Sequence, residues 1–166
     1  MSEVQQVNEA LESITSVDDG SEQYLTFLLG DEEYGVEILR VQEIKGWDQV
    51  THIPNSPHYL CGVLNLRGTI VPIVDLRLRF EMPPKQYTPT TVVVVLKVEG
   101  VTQRTVGIVV DGVSDAHNIV PEDIKPTPDF GSNVSTEFIK GLVSLEDDTM
   151  MMILNIDQLL SVEALG

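Results

Sequence analysis

The chain has 166 residues, a length that suits one domain or two small, closely packed halves. Its 26 acidic residues outnumber 10 basic ones and leave a formal charge of −16, which repels phosphate backbones and anionic lipid headgroups. We therefore expect no nucleic-acid binding and no membrane insertion, and a charged partner should present basic or neutral surface. With 42% apolar residues, the chain can bury a core.

Cysteine usage and the N-terminal sequence both indicate a soluble, cytoplasmic protein. Cys61 is the single cysteine, so an intrachain disulfide is excluded and a reducing compartment fits. The first residues contain neither a basic n-region nor a long apolar h-region, and no run of about 18 apolar residues occurs in the chain. Residues 1–21 carry acids without any Lys or Arg, and we expect them to form a mobile acidic tail.

From Gln23 onward the chain is a succession of β-rich segments. QYLTFLLG and YGVEILRVQEI, joined by a DEE turn, predict a β-hairpin whose second strand is the longer, and GVLNL and TIVPIVDLRLRF then flank Arg67-Gly68. A Pro-rich break precedes TVVVVLKVEG, RTVGIVVDGVSDA and GLVSLEDDTMMMILNIDQLL. Long β-branched runs with short polar turns predict mainly β structure. Runs without clean alternation are typical of strands buried on both faces or closed into small barrels.

Two pairs of similar segments indicate an internal duplication. SPHYLCGVLNL (56–66) aligns without gaps on STEFIKGLVSL (135–145), and YGVEILRV (34–41) aligns on VGIVVDGV (106–113). Either match alone is weak, because β-rich segments often resemble one another. The two matches occur in the same order, and each is followed by a strand ending in V-D-L or I-D-Q-L, so duplication is the better interpretation.

The duplication sets the expected domain organisation. We expect one domain at 22–160 made of two similar small β-barrels, with subdomains at about 22–85 and 90–160. Exchange of terminal strands between the barrels stays open at this point. Short helical turns are expected where Ser56 and Ser135 resemble helix N-caps.

Enzymatic signatures are sparse in this sequence. It lacks the GxSxG, GxGxxG, GxxxxGK[ST] and HExxH motifs. The histidines (His52, His58 and His117) have no thiol or carboxylate at metal-ligand spacing, and Cys61 has no evident activating base. We therefore expect no enzyme, no cofactor and no metal site, which leaves a binding module. A metal-dependent or enzymatic β-barrel is the rival interpretation, and a metal-content measurement would discriminate between the two.

Several polar or aromatic residues have both a structural and a binding interpretation. The segment GVEILRVQEI contains three charged residues, Glu37, Arg40 and Glu43. Solvent-exposed positions on a strand and contacts with a partner explain these charges equally well. Trp47, the only tryptophan, fits an interface residue or a half-buried residue on a barrel rim. Asp111 precedes a glycine and is interpreted as a turn residue.

Arg67 is the residue that the fold requires least. It lies at a strand junction whose counterpart in the second half is the hairpin SLEDDT, where acids take its place. A charge at such a tip can remain in water, yet the fold does not demand arginine there. On a chain of charge −16 we expect Arg67 to bind a partner, whereas the turn explains Gly68.

Taken together, the motifs resemble the CheW-type chemotaxis coupling proteins. The likeness rests on DEEYG followed by VQEI, then NLRG-x-I-V-P-I-V-D-L, then VGIVVDGVSD, and it runs from about Gln23 to Leu160. It implies a pair of SH3-like five-stranded β-barrels, in agreement with the duplication.

The resemblance also implies a function. Members of the family are non-enzymatic adaptors that link the cytoplasmic tips of transmembrane chemoreceptors to the histidine kinase CheA. On this basis the protein is cytoplasmic and is recruited to membrane-associated chemoreceptor arrays. The equivalent scaffold of a non-flagellar chemosensory-like pathway is the alternative, because the motifs do not identify the pathway.

Finally, the resemblance implies contact residues around a groove between the barrels. The positions that match the receptor-facing motif are Ile38, Val41, Glu43, Gly62, Arg67 and Gly68. Ile38 and Val41 would contact the receptor helix, and Glu43 and Arg67 would fix its register. The regulatory domain of CheA, which shares the double-barrel fold, would pack against other surfaces, with Phe130 as the candidate contact.

Overall fold

A computed structural model describes residues 22–100, 102–126, 136–145 and 148–161. In chain order its strands are β1 (Glu22–Leu29), β2 (Glu32–Glu37), β3 (Val41–Gly46), β4 (Leu60–Leu66), β5 (Thr69–Asp75), β6 (Val92–Val98), β7 (Arg104–Val110), β8 (Gly112–Ile119), β9 (Ile139–Ser144) and β10 (Met150–Leu154). They form two five-stranded sheets, which confirms the mainly β fold class. The acidic tail and the Phe130 candidate lie outside the described residues.

The helical segments are short, and only some lie where they were expected. The segment expected after Ser56 is a hydrogen-bonded turn, Leu60 N to the Pro57 carbonyl, and not a helix. Helix α1 (Leu76–Arg79) follows β5 and α2 (Ile156–Leu159) follows β10. Each begins at a side-chain cap, because Asp75 and Asn155 accept hydrogen bonds from backbone N–H groups of the first turn. Single 3-10 turns occupy Ile38–Arg40, Pro121–Asp123 and Thr136–Phe138.

The duplication is visible in the strand order of the two sheets. The terminal barrel, which contains the first and last strands, is ordered β8-β1-β2-β10-β9, and the central barrel is ordered β3-β6-β7-β5-β4. A shift of five strands converts one order into the other. In each barrel a strand pairs in parallel with a strand of the other repeat, β2 with β10 and β7 with β5.

Each barrel therefore takes a hairpin from the opposite repeat. The hairpin β1–β2 joins β8, β9 and β10, whereas β6–β7 joins β3, β4 and β5. The sheets consequently depart from the expected subdomain boundaries of 22–85 and 90–160. The physical reason is that the chain leaves the terminal barrel after β2 and returns to it only at β8.

The largest apolar cluster lies between the barrels and holds them together. In β6, Val94 and Leu96 face this shared cluster, while Val93 and Val95 face the interior of the central barrel. Phe27 of β1 faces the shared cluster from the terminal barrel. Both faces of β6 are buried, which confirms the interpretation of TVVVVLKV and explains its lack of alternation.

Candidate functional site

The hairpin between β4 and β5 holds Arg67 at its tip. Leu66 pairs with Thr69, so Arg67 and Gly68 form a two-residue loop. Their φ angles are 51° and 90°, as in a type I′ turn, and Asn65 Oδ1 accepts a hydrogen bond from Gly68 N at 2.8 Å. Glycine adopts a positive φ freely, whereas arginine rarely does. The turn thus accounts for Gly68 and leaves the choice of Arg67 unexplained.

Glu43 faces Arg67 from the opposite edge of the central barrel. The Arg67 guanidinium lies 2.7 Å from Glu43 Oε2, and the Arg67 side chain is 78% exposed. Because β3 and β4 are the edge strands of this sheet, the ion pair spans the gap between its two edges. A β-bulge at Gln42 shifts the register of β3 against β6 immediately before Glu43. Such bulges re-aim the side chains that follow them.

A shallow groove of about 310 Å³ runs between these two edges. Its lining residues are Gln42, Glu43, Leu66, Arg67, Thr69, Val71 and Thr105. The groove thus combines a charged pair with the apolar side chain of half-buried Leu66, above the buried Val71. Such a lining can accept an apolar segment that also carries a carboxylate or carbonyl for the arginine. We name these seven residues and Gly68 the Arg67 surface.

The structure does not bring all the expected contact residues to this surface. Ile38 is 4% exposed and belongs to the cluster between the barrels, so its side chain is unavailable to a partner helix. Val41 is half-buried and packs against the same cluster. Gly62 is buried with φ 151°, and a Cβ there would collide with the Thr51 carbonyl oxygen. Ile38 and Gly62 therefore act in packing, because the backbone turns them inward.

Two exposed apolar side chains were not expected at these places. Leu39 protrudes from the 3-10 turn after β2, and Ile70 lies on the outer face of β5 beside buried Val71. The alternation of TIVPIV contains the signal for Ile70, since neighbouring residues of a strand point to opposite faces. No such signal exists for Leu39, because the strand-like pattern of YGVEILRVQEI conceals the 3-10 turn.

Arg40 is a structural residue and not a solvated strand position. Its guanidinium donates to both carboxylate oxygens of Asp157, at 2.9 and 2.7 Å, and to the Lys97 carbonyl at 3.0 Å. Glu37 pairs with Lys140 at 2.8 Å. These contacts connect the chain between β2 and β3 with β6, β9 and α2.

Asp111 has a comparable role and is more than a turn residue. The guanidinium of Arg77 donates to both of its oxygens, at 3.0 and 2.6 Å, and Gly30 N donates at 2.7 Å. Burial raises the pKa of the Asp111 carboxyl, but the hydrogen bonds from Arg77 and Gly30 outweigh this and hold the pKa below its ordinary value. Burial also raises the pKa of the Asp157 carboxyl. The hydrogen bonds from Arg40 and from the Glu99 N–H outweigh this effect and hold that pKa below its ordinary value.

The connector before β6 closes one end of the central barrel. Tyr87 packs on Trp47 with ring centroids 4.3 Å apart, and its hydroxyl donates to buried Asp75 at 2.7 Å. Trp47 thus occupies a half-buried rim position. The Cys61 thiol lies 3.5 Å from the same hydroxyl, and burial raises the pKa of Cys61, so the thiol is protonated near neutral pH.

Two further searches covered the part of the chain that the structure describes. Within these residues, no group of three or more His, Cys, Asp or Glu side chains is placed to hold a metal ion. In the same described ranges, no helix has the length and apolar character needed to cross a membrane.

Comparison with known proteins identifies the family. The model of the CheW-like domain matches residues 23–164. The chemotaxis protein CheW of Klebsiella aerogenes is 49% identical over 145 residues, covering 87% of this chain and 85% of that protein. The probable chemotaxis protein CheW of Rhizobium etli is 36% identical over 149 residues, covering 90% and 94%.

A solved structure gives the same result. The crystal structure of the scaffolding protein TtCheW from Thermoanaerobacter tengcongensis matches with a TM-score of 0.78 at 26% identity, covering 91% of this chain and 96% of that one. Its agreement extends over both SH3-like barrels. The chain therefore belongs to the CheW family of chemotaxis coupling proteins, whose members are scaffolds.

Proposed function

We propose that this protein couples chemoreceptors to the histidine kinase CheA without catalysing a reaction itself. The receptor's helical cytoplasmic tip would bind at the Arg67 surface, and the regulatory domain of CheA would bind elsewhere on the barrels. The protein would act in the cytoplasm at receptor arrays. One observation carries this proposal beyond the family: Arg67 is 78% exposed beside a groove, where it forms an ion pair with the half-buried Glu43.

The Glu43–Arg67 pair is well suited to exchange for a partner. An ion pair whose arginine is largely exposed at the surface contributes only about 0–1 kcal/mol, because water and salt screen it. A receptor carboxylate or a helix C-terminal carbonyl can therefore replace Glu43 at little cost to the fold. Half-buried Leu66 supplies the apolar part of the contact within the same groove.

The second repeat supports a division of labour between the barrels. A β-bulge at Ser114 places Asp115 at the position equivalent to Glu43. By sequence alignment, Glu146 is the counterpart of Arg67. In the aligned sequences, the second repeat thus has acids at both positions that carry an acid and a base in the first. Two partners of different charge would each find one matching barrel.

The proposal predicts a selective effect of Arg67→Glu. We expect this variant to lose at least about tenfold in affinity for a receptor fragment, because a repulsive charge replaces the guanidinium. Its affinity for the CheA regulatory domain should change less than about twofold. Pull-down and titration calorimetry with each fragment measure both affinities. Lys140→Glu, which breaks another exposed ion pair by the same charge change, is the matched control for receptor binding.

A charge-swapped variant separates partner recognition from local structure. Glu43→Arg with Arg67→Glu restores the ion pair within the groove but reverses what a partner meets. We expect it to bind the receptor fragment as poorly as Arg67→Glu alone. Full recovery of receptor binding in the charge-swapped variant would show that the ion pair serves only the fold. In a folded Arg67→Glu protein, an equal loss of affinity for the receptor fragment and for the CheA regulatory domain would contradict the two-surface assignment.

A further inference from the structure

The two crossings between the barrels carry ion pairs of opposite polarity. The first crossing is the 3-10 turn between β2 and β3, where Arg40 is the basic partner of Asp157 in α2. The second is Asp111, between β7 and β8, which is the acidic partner of Arg77 in α1. The two pairs are thus equivalent in position. Arg40 follows β2 and pairs with the helix after β10, the parallel neighbour of β2, whereas Asp111 follows β7 and pairs with the helix after β5, the parallel neighbour of β7.

The surroundings of each pair repeat the same arrangement. In both, the carboxylate also accepts the N–H of a hairpin turn, from Glu99 to Asp157 at 2.8 Å and from Gly30 to Asp111 at 2.7 Å. These turns follow the equivalent strands β6 and β1. A second charge, opposite in sign to the crossing residue, lies near each one, with Glu99 at 3.9 Å from Arg40. Lys85 lies 3.5 Å from Asp111.

The duplication makes a second topology available to this chain. If each hairpin stayed with its own repeat, β1–β2 would join β3, β4 and β5, and β6–β7 would join β8, β9 and β10. In that unexchanged arrangement Arg40 would meet Arg77, and Asp111 would meet Asp157. Both contacts would be repulsive between side chains that are largely removed from water, where charge interactions are least screened.

We propose that the opposite polarity of the Arg40–Asp157 and Asp111–Arg77 pairs selects the exchanged topology over the unexchanged one. Partly buried ion pairs add little net stability compared with apolar contacts, and their best-attested use is to fix register or partner choice. Both hairpins bury apolar side chains in the shared cluster, Phe27 and Tyr34 from one and Leu96 and Val106 from the other. The four charges discriminate because only the exchanged arrangement pairs opposite signs.

Cross-linking of β1 reports which arrangement forms. Gln23 pairs with Asn118 across β1 and β8, and the equivalent of Asn118 in the other repeat is Gly46, where a side chain meets no atom within 4 Å. In a Cys61→Ala background, Gln23→Cys with Asn118→Cys reports the exchanged arrangement. Gln23→Cys with Gly46→Cys reports the unexchanged one. Each protein is refolded from urea and treated with a short thiol cross-linker, and mass spectrometry measures the yield.

The test reverses the crossing charges alone and then all four charges. Arg40→Glu with Asp111→Arg makes the exchanged pairs repulsive and the unexchanged pairs attractive. We expect the ratio of 23–118 to 23–46 cross-links to fall at least tenfold from its value with the native charges. Adding Arg77→Glu and Asp157→Arg restores opposite signs in the exchanged topology and should recover most of that ratio.

Two results would overturn the proposal. The first is an unchanged cross-link ratio in the crossing-reversed protein. The second concerns stability and applies if the crossing-reversed protein fails to fold. In that case the protein with all four charges reversed should regain a cooperative urea transition. If it stays unfolded or keeps the same low cross-link ratio, the polarity of the ion pairs does not select the topology.

Discussion

At the scale of single residues, Gly62 shows how the backbone constrains the central barrel. Its φ of 151° lies in a region that side-chain-bearing residues avoid, and a Cβ at this position would collide with the Thr51 carbonyl. Thr51 and Val63 form the β-bridge that ties the chain after β3 to β4. Gly62 therefore permits the contact by which this barrel closes, and its place in the receptor-facing motif has a structural explanation.

Gly62→Ala should destabilise the protein by more than about 1 kcal/mol, because the new Cβ strains φ and displaces the Thr51 carbonyl. Urea unfolding followed by circular dichroism measures this change. Gly46→Ala is the matched control, since its Cβ would meet no atom within 4 Å. Equal stability of the two variants would contradict the close approach at Thr51.

At the scale of elements, the strands and the Arg67-Gly68 turn could be predicted from β-branched runs and a turn dipeptide, which are local signals. The pattern of YGVEILRVQEI predicts one long strand, whereas β2 ends at Glu37 and a 3-10 turn follows. Ile38 is buried in that turn, and its burial does not support the predicted role of Ile38 as a receptor contact. Strand exchange could not be predicted, because pairing between similar repeats depends on distant charges such as Arg40 and Asp157.

The carboxylates of the two crossing ion pairs, Asp111 and Asp157, predict a stability change at acidic pH. A carboxyl whose pKa is lowered by folding contributes stability that is complete above its unfolded pKa of about 4 and is lost as the pH falls through the folded pKa. Asp111 and Asp157 both have lowered pKa values. Their contribution should therefore be full at pH 7 and should decline below about pH 4.

Asp111→Asn should reduce the free energy of unfolding at pH 7 by about 1–3 kcal/mol, through loss of charge-assisted hydrogen bonds from Arg77. The difference from the native protein should shrink as the pH falls below about 4, because the carboxyl then takes up a proton more readily in the unfolded state than in the folded state, where its pKa is lowered. Urea unfolding at each pH provides the measurement, with Asp31→Asn in the exposed β1–β2 turn as control. A difference that stays constant across this range would contradict the assignment.

At the scale of the whole molecule, the shared apolar cluster and the two crossings join the barrels into one unit. A partner bound at one barrel can therefore influence a partner at the other through rigid placement of the two surfaces. Coupling of this kind requires that the receptor and kinase interfaces differ in free energy between signalling states.

Reconstitution of a receptor fragment with CheA, with and without this protein, tests the central claim most directly. Co-sedimentation measures assembly, and autophosphorylation of CheA measures coupling. We expect the native protein to bring CheA into the receptor pellet and to raise its kinase activity at least about tenfold, whereas Arg67→Glu should bind CheA but restore little activity. The proposed coupling would be contradicted if CheA had the same kinase activity with the native protein, with Arg67→Glu, and without any added scaffold.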